Sequence, residues 1–317
     1  MNSYIIVLLF LILASFIYLK LAIKFKIIDK PNERSSHKKI TVRGGGIIFT
    51  IAILLFSVLN DFAYPYFSIG VFLISIVSFL DDIYTLSSKI RFPFQVLSAC
   101  LLLLEVSLSF DFNYIIFLII GVGIVNFFNF MDGINGITGL YSISVLIGFY
   151  LINLNESIVN ADLIIYALIS LIVFGFYNFR RKALFFAGDI GSISIGVLIF
   201  FLGMLFYIKL SSPLILLLII VYGADAAFTL LYRKFYTRES VFEPHRHHIY
   251  QKLVHICKIS HLKVSMLYAI IQLTINFIIY KSYLLDLKYQ LIIFFGLIIF
   301  FTLLYIFIFQ KIKKTIA

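Results

Sequence analysis

The chain has 317 residues, 62% of them apolar and 13% charged, with a mean hydropathy of +1.07. Soluble domains carry roughly twice that share of charge, so a soluble globular protein is excluded. The net charge of +11 would suit nucleic acid in a soluble protein, but here the cations gather in alternate connections between apolar stretches, which signals membrane topology and no nucleic-acid partner. Cys100 lies in an apolar stretch and Cys257 in a basic loop, so the two form neither a disulfide framework nor a metal pattern.

Crossing a bilayer as a helix takes about 20 predominantly apolar residues. Eleven such stretches follow in chain order, at about 3–25, 44–62, 66–82, 93–110, 113–131, 136–153, 161–178, 191–208, 212–232, 263–281 and 289–310. The first has no Lys or Arg before it and a basic run after it, the reverse of a secretory signal peptide, and is predicted to be a retained span with its amino end outside. With that orientation, 23 of the 26 Lys and Arg residues fall on the inner side, against Lys209, Lys281 and Lys288 outside, as retention of cations on the cytoplasmic face requires. No connection has the ~100 residues of a soluble domain. Residues 1–317 are therefore predicted to form a single all-α integral membrane domain of about eleven transmembrane helices, N-terminus outside and C-terminus cytoplasmic. The expected cytoplasmic loops are at about 26–43, 82–92, 131–136, 179–190 and 233–262.

Asp81, Asp82, Asp132 and Asp189 all stand at inner ends of apolar stretches, where a carboxylate is costly unless paired, hydrated or bound to a cation. The first inner loop combines Asp29, Arg34 and His37 with Thr41-Val-Arg-Gly-Gly-Gly46; the glycines either admit a ligand to the backbone or serve as a flexible entry to the next span. In the second, the Asp81-Asp82 doublet suits a proton acceptor or a divalent cation, or else Asp82 caps a turn while Asp81 pairs with Lys89 or Arg91. In the third, Asn126, Asn129 and Asp132 recur every third residue on one side of a helix end. They either face a ligand or bond a neighbouring helix, the latter above all for Asn126.

The fourth connection ends in Gly188-Asp-Ile-Gly-Ser192 at the start of a span. Free backbone N–H groups there are expected to receive phosphate, with a Mg²⁺ between Asp189 and a diphosphate; the alternative is an ordinary helix cap by Asp189 or Ser192. The fifth carries Glu243-Pro-His-Arg-His-His-Ile-Tyr-Gln-Lys-Leu253. Its imidazoles and guanidinium suit diphosphate or uracil, and zinc is the weaker reading because no nearby Cys or second ligand set accompanies them. His255 and His261 read as ordinary loop residues, and Asp225, inside a span, as a packing or site-supporting residue.

Taken together, Asp-Asp, Asn-Phe-x-Asp-Gly-Ile-x-Gly, Gly-Asp-x-Gly-Ser and His-Arg-x-His-x-Tyr-Gln-Lys-Leu, in this order on inner connections across about residues 29–253, resemble the polyprenyl-phosphate N-acetylhexosamine-1-phosphate transferases. The match is closest to their WecA-like, O-antigen-initiating branch. The resemblance implies transfer of a sugar-1-phosphate from a UDP-N-acetylhexosamine to undecaprenyl phosphate with release of UMP, starting a lipid-linked cell-envelope glycan. It implies Mg²⁺, with Mn²⁺ as a substitute, and a multi-pass protein of the inner or plasma membrane, among membrane lipids, with its active site cytoplasmic; a homodimer is an assembly it admits.

Carried over by motif, Asp81, Asp82 and Asp132 are the expected catalytic carboxylates, with Asp81 preferred as a base, and Asp189 the expected metal ligand. Lys89, Asn129, Asn178, His245, Arg246 and His248 are the expected substrate-binding residues. Two departures stand out: Asn135 replaces an Asp of many relatives, and Val42-Arg43 replaces a proline-containing approach to the glycines. One-step displacement is expected, since a lipid phosphate is a competent nucleophile and no Ser or Cys is evidently activated. The competing class is a transporter, which would hold its charges near the membrane midplane and show related halves. The sugar stays open among UDP-GlcNAc, UDP-FucNAc, UDP-QuiNAc and other N-acetylated donors.

Overall fold

The computed structural model describes residues 2–31, 40–107, 109–237 and 246–316. Their order is α1 (Asn2–Lys24), β1 (Ile28–Asp29), β2 (Thr41–Val42), α2 (Ile47–Leu59), α3 (Pro65–Tyr84), α4 (Ser88–Glu105), α5 (Phe112–Met131), α6 (Ile137–Glu156), α7 (Ala161–Asn178), α8 (Gly188–Leu210), α9 (Ile220–Tyr232), α10 (Ile249–His255), α11 (His261–Ser282) and α12 (Leu287–Ile316). A 3-10 segment, Pro213–Ile219, leads into α9, and a π-helical turn, Arg233–Thr237, ends it. The chain is an all-α integral membrane protein.

Among the described residues, nine helices are long and apolar enough to cross a membrane: α1, α3, α5 to α8, the 3-10 segment with α9, α11 and α12. The two remaining predicted stretches are also helical. However, α2 has 13 residues, about 20 Å at helical rise, and α4 carries Lys89, Arg91 and Glu105 within its 18 residues. Two starts differ from expectation. Helix α4 begins at Ser88 rather than 93, with Pro93 inside it and Ser87 extended before it; α8 begins at Gly188 rather than 191. The short β1–β2 ladder and α10 were not predicted, because a two-residue strand and a seven-residue helix leave no periodicity to read.

Helix α8 is the centre of the bundle, buried almost without break from Gly188 to Leu202 and packed on α2, α3 and α5. Helices α1 and α12 lie at the periphery and expose Ile6, Leu9, Phe10, Leu303 and Phe307, as lipid-facing surfaces do. Because lipid supplies no hydrophobic drive between helices, close backbone approach and polar pairs hold the interior together. Gly46 before α2 meets Gly191 of α8 so closely that a Cβ at Gly191 would lie 2.7 Å from the Gly46 Cα. Further along, Thr50, Ser75 and Ser194 link α2, α3 and α8 through hydroxyl contacts of 3.0, 2.8 and 2.9 Å. Gln95 of α4 and Asn126 of α5 exchange amide hydrogen bonds at 3.3 and 3.0 Å, so Asn126 bonds a neighbouring helix. An apolar cavity of about 400 Å³ opens between α5, α8, α9 and α12, lined by Ile124, Phe127, Gly203, Met204, Ala224 and Phe301 among others.

Up-and-down connectivity separates the connections into two sets. One end of the bundle holds Tyr4–Asp162 (2.8 Å), Asn60–Asn160 (2.8 Å), Tyr283–Glu156 (2.8 Å) and Ser212–Gln290 (2.6 Å). The other end gathers the five connections that the cation count places inside, each with its polar cluster.

Gly191→Ala is expected to lower the thermal midpoint of the detergent-solubilised protein by an amount equivalent to ~1–3 kcal/mol of overpacking. Gly203→Ala, where a Cβ meets nothing within 4 Å, should leave the midpoint near that of the parent.

Candidate active site

The site begins with backbone. The segment after β2 runs beside the one before α8: Phe186 N donates to Val42 O at 2.8 Å, Gly45 N to Phe186 O at 2.8 Å and Gly46 N to Ala187 O at 2.9 Å. Tyr18 of α1 donates its hydroxyl to the Arg43 carbonyl, and Arg43 N donates to Ile27 O at 3.2 Å. These bonds carry Arg43 to the first turn of α8. Gly188 has a φ of +73°, and a Cβ there would stand 2.4 Å from Asp82 Oδ2. Both the left-handed backbone and the carboxylate beside it therefore require glycine.

Five side chains from three connections then form one ionic chain. Asp82, at the end of α3, is completely buried and meets Arg43 Nε at 2.6 Å. It also accepts from Asp189 N at 2.8 Å and Ile190 N at 3.1 Å, capping α8 from a different helix. Arg43 Nη2 reaches Asp189 Oδ1 at 2.9 Å, while Arg91 Nη1 joins Asp189 Oδ2 at 3.0 Å to Asp81 Oδ2 at 2.6 Å. Asp81 also accepts from Leu86 N.

This geometry corrects two expectations. The N–H groups opening α8 are occupied by Asp82, so the N-terminus is not an open phosphate pocket, and neither Asp189 nor Ser192 supplies the cap. Lys89 is exposed and forms no ion pair among the described residues; the cation that reaches the cluster from the start of α4 is Arg91, two residues further along and on a different face of the helix. Arg43, whose contribution the sequence left open, is the second. Spacing alone hides both, because Arg43 and Asp189 are 146 positions apart and Arg91 and Asp189 are 98 apart.

The remaining predicted residues divide into cleft and scaffold. Asn129 donates to Ser192 Oγ at 3.2 Å, placing the last turn of α5 against the first turn of α8. Asp132, half-buried just beyond α5, accepts from Thr138 Oγ1 at 2.6 Å. Burial pushes its carboxyl up to about 6, opposed by the Thr138 hydrogen bond and Arg43 and reinforced by the charge of Asp189, so Asp132 lies within electrostatic reach of the ionic chain. Among the described residues its second oxygen takes no hydrogen bond.

Asn178, expected to bind substrate, is buried with both amide ends in use: Gly136 N donates to it at 2.7 Å and it donates to Phe185 O at 2.9 Å. Its geometry is that of a brace between the α5–α6 and α7–α8 connections. Asn135 donates to Arg180 O at 2.9 Å and Arg181 O at 3.3 Å; a carboxylate at this position could not donate to those carbonyls, which gives the Asp-to-Asn departure a structural reason.

His248 is buried at the start of α10 with Nδ1 3.2 Å from Asp225. Arg246 is half-buried within electrostatic range of His255. His245, like Arg34 and His37, lies outside the described residues.

Four carboxylates, Asp81, Asp82, Asp132 and Asp189, thus share this end with the two guanidiniums of Arg43 and Arg91, an excess of negative charge that suits a divalent cation. Among the described residues no three His, Cys, Asp or Glu converge as a ready-made metal shell. Mg²⁺ commonly takes one or two carboxylates and completes its shell with waters and phosphate oxygens, so the donor set fits an ion shared with a phosphate-bearing ligand.

Removing a partner from a buried ion pair costs about 3–5 kcal/mol. Arg43→Met, which strands Asp82 and Asp189 together, is expected to lower the thermal midpoint in detergent strongly. Arg43→Lys, a point charge without the fork, should fall between Met and the parent.

Residues 64–207, from α3 through α8, match glycosyl transferase family 4. The chain is 28% identical over 294 residues to a probable undecaprenyl-phosphate N-acetylglucosaminyl 1-phosphate transferase of Bacillus subtilis (strain 168), covering 84% of this chain and 81% of that protein. It is 28% identical over 273 residues to an undecaprenyl-phosphate alpha-N-acetylglucosaminyl 1-phosphate transferase of Salmonella typhi, covering 76% and 73%. A phospho-N-acetylmuramoyl-pentapeptide-transferase of Thermotoga maritima is 28% identical over 180 residues, covering 50% of this chain and 59% of its own length. The matched region carries the Asp81-Asp82 doublet, Asn129, Asp132, Asn178 and Asp189, and the chain is similar along most of its length to undecaprenyl-phosphate N-acetylglucosaminyl 1-phosphate transferases.

Proposed function

We propose that this protein transfers the sugar-1-phosphate of a UDP-N-acetylhexosamine to undecaprenyl phosphate at the cytoplasmic face of the membrane, releasing UMP. The observation that carries this reading is the convergence of Asp81, Asp82 and Asp189 with Arg43 and Arg91 at one end of a membrane bundle. Similarity to these transferases over most of the chain speaks against the transporter alternative. Clustering of the charges at helix ends supports the same choice, as does the excess of Lys and Arg in the connections at this end, which by the positive-inside rule face the cytosol.

In chemical terms, an oxygen of the lipid phosphate attacks the phosphorus bonded to the sugar. The bond to the bridging oxygen of the diphosphate breaks, and the electron pair leaves with UMP; the lipid-linked diphosphate sugar is the other product. Two anions must approach, so positive charge and in-line positioning govern the barrier. In this reading Arg43 and Arg91 exchange part of their contact with Asp189 for phosphate oxygens, which a planar fork suits. Asp189 would hold Mg²⁺, whose contribution when bound is neutralisation of diphosphate charge. Asn129, against Ser192 at the mouth of α8, faces the same space.

The carboxylates then take different roles. Asp82 is fully buried with both oxygens engaged, which suits an anchor and neither a nucleophile nor a base. Asp81, the preferred base from sequence, is tied to Arg91 and Leu86 N and orients that guanidinium. Asp132 keeps an oxygen available and accepts a proton when the lipid phosphate arrives as its monoanion. Direct displacement follows, since the carboxylates that touch the arginines among the described residues, Asp81, Asp82 and Asp189, are all engaged in ion pairs.

Membranes containing the protein, supplied with undecaprenyl phosphate, Mg²⁺ and a panel of UDP-N-acetylhexosamines, should release UMP with at least one sugar and yield the corresponding lipid-linked product by mass spectrometry. Asp189→Asn should abolish the release. Silence across the panel contradicts the assignment. The acidic limb of the pH–rate profile should have its midpoint near the Asp132 value of about 6, with activity lost as pH falls and the carboxylate protonates. Thr138→Val removes a hydrogen bond to the charged form and should move that midpoint upward; an unmoved limb would separate Asp132 from the titration.

A further inference from the structure

Asp225 lies inside α9, away from the ionic chain, and is 3% exposed. A lone carboxylate in a span is costly, yet this one is saturated from two sides. From the bundle, Thr229 Oγ1 lies 3.2 Å and Tyr305 OH 3.3 Å from Oδ1, while Tyr268 OH donates to Oδ2 at 2.6 Å. From the fifth connection come His248 Nδ1 at 3.2 Å and Ile249 N at 3.0 Å to Oδ1, and Tyr250 N at 3.3 Å to Oδ2. The carboxylate therefore stands between three donors fixed in the bundle and three from the segment that opens α10.

Helix packing alone does not account for this arrangement, because an apolar residue of similar size joins two helices at lower desolvation cost. What the carboxylate adds is direction. The stretch from His248 to Tyr250 has no cap of its own, since His248, the residue before α10, makes no side-chain capping bond; Asp225 supplies it from α9. The same carboxylate takes Nδ1 of His248, which fixes the orientation of the ring and leaves Nε2 as the nitrogen turned elsewhere.

The helix so held is connected onward to the site. Tyr250 OH donates to Phe130 O at 3.1 Å, in the last turn of α5 two residues before Asp132. Tyr250 also packs so tightly on Gly133 that a Cβ there would lie 2.2 Å from its hydroxyl. On the opposite side the Lys252 ammonium sits 3.6 Å from the Phe309 ring centroid and 4.8 Å from that of Tyr232, fixing α10 to α12 and α9.

We propose that Asp225 is a positioning residue for the transfer reaction: by holding His248 and the first turn of α10, it sets the Arg246–His248 stretch against the diphosphate of the donor nucleotide. The inference rests on the function proposed above and names how the fifth connection is aimed at that centre.

The test is a double-mutant cycle on purified full-length protein in detergent. UMP release is measured with whichever UDP-sugar the parent turns over, and the thermal midpoint is recorded for each variant. Asp225→Asn should raise KM for the UDP-sugar about tenfold, with kcat and KM for undecaprenyl phosphate changed less than threefold. His248→Ala should do the same, and the double variant should match His248→Ala within twofold, because both changes act through one imidazole. Multiplicative effects, or a fall in kcat at unchanged KM, overturn the proposal.

Where Asp225→Asn fails to fold, Tyr268→Phe replaces it in the cycle. Loss of one bundle-side donor should raise KM for the UDP-sugar about threefold in the parent and not further in the His248→Ala background, and independence from His248 again overturns the proposal. A parent protein that releases no UMP from any UDP-sugar overturns the proposed function and this inference with it. Turnover with independent effects overturns this inference alone.

Discussion

The structure depends on neutralising carboxylates at helix ends that the bilayer will not hydrate. Asp189 opens the central helix and sits between Arg43 and Arg91, each of which holds a further carboxylate of the doublet that ends α3. Neither arginine is near Asp189 in sequence. Assembling the chain of charges therefore requires the first, second and fourth inner connections to meet, and the backbone ladder between residues 42–46 and 185–187 makes them do so. Glycine at 46, 188 and 191 is what lets the surfaces approach. Packing and charge thus act on the same few residues, and one substitution there perturbs both.

A second pattern repeats the first. Asp82 reaches from α3 to cap α8, and Asp225 reaches from α9 to cap α10. In each case a buried carboxylate supplies a terminus that its own local sequence leaves bare. Hydrogen bonding to free N–H groups and an opposing cation or hydroxyl together offset the desolvation that isolates such a group in a membrane interior. The device converts a costly burial into a fixed orientation, which is what a phosphoryl-transfer centre with little covalent chemistry of its own requires.

Much of this was legible in the chain. Apolar runs locate every long helix, and the carboxylates at their ends converge at one end of the bundle. What could not be read is contact across sequence. Lys89 and Arg91 look equivalent in a basic loop, and only the helix that begins at Ser88 shows that Arg91 turns inward while Lys89 faces out. Asp82 resembles a catalytic acid until its oxygens are found on Asp189 N and Ile190 N. Asn178 resembles a ligand-binding amide until both of its ends are found on backbone. In each case the residue type was informative about polarity and silent about partner, because hydrogen-bond saturation is a property of the packed state. The short elements, β1, β2 and α10, escaped because they are stabilised by their neighbours rather than by internal periodicity.

The account turns on Asp189 being the point where cation, nucleotide and lipid phosphate meet. The most direct measurement is a structure of the protein with UMP and Mn²⁺, in which anomalous scattering locates the metal independently of the nucleotide. One Mn²⁺ bound by Asp189, with the UMP phosphate on Arg43 or Arg91 and the nucleotide lying toward α10, is the predicted result. A metal and nucleotide bound elsewhere, with Asp189 still held between the two arginines, would contradict it.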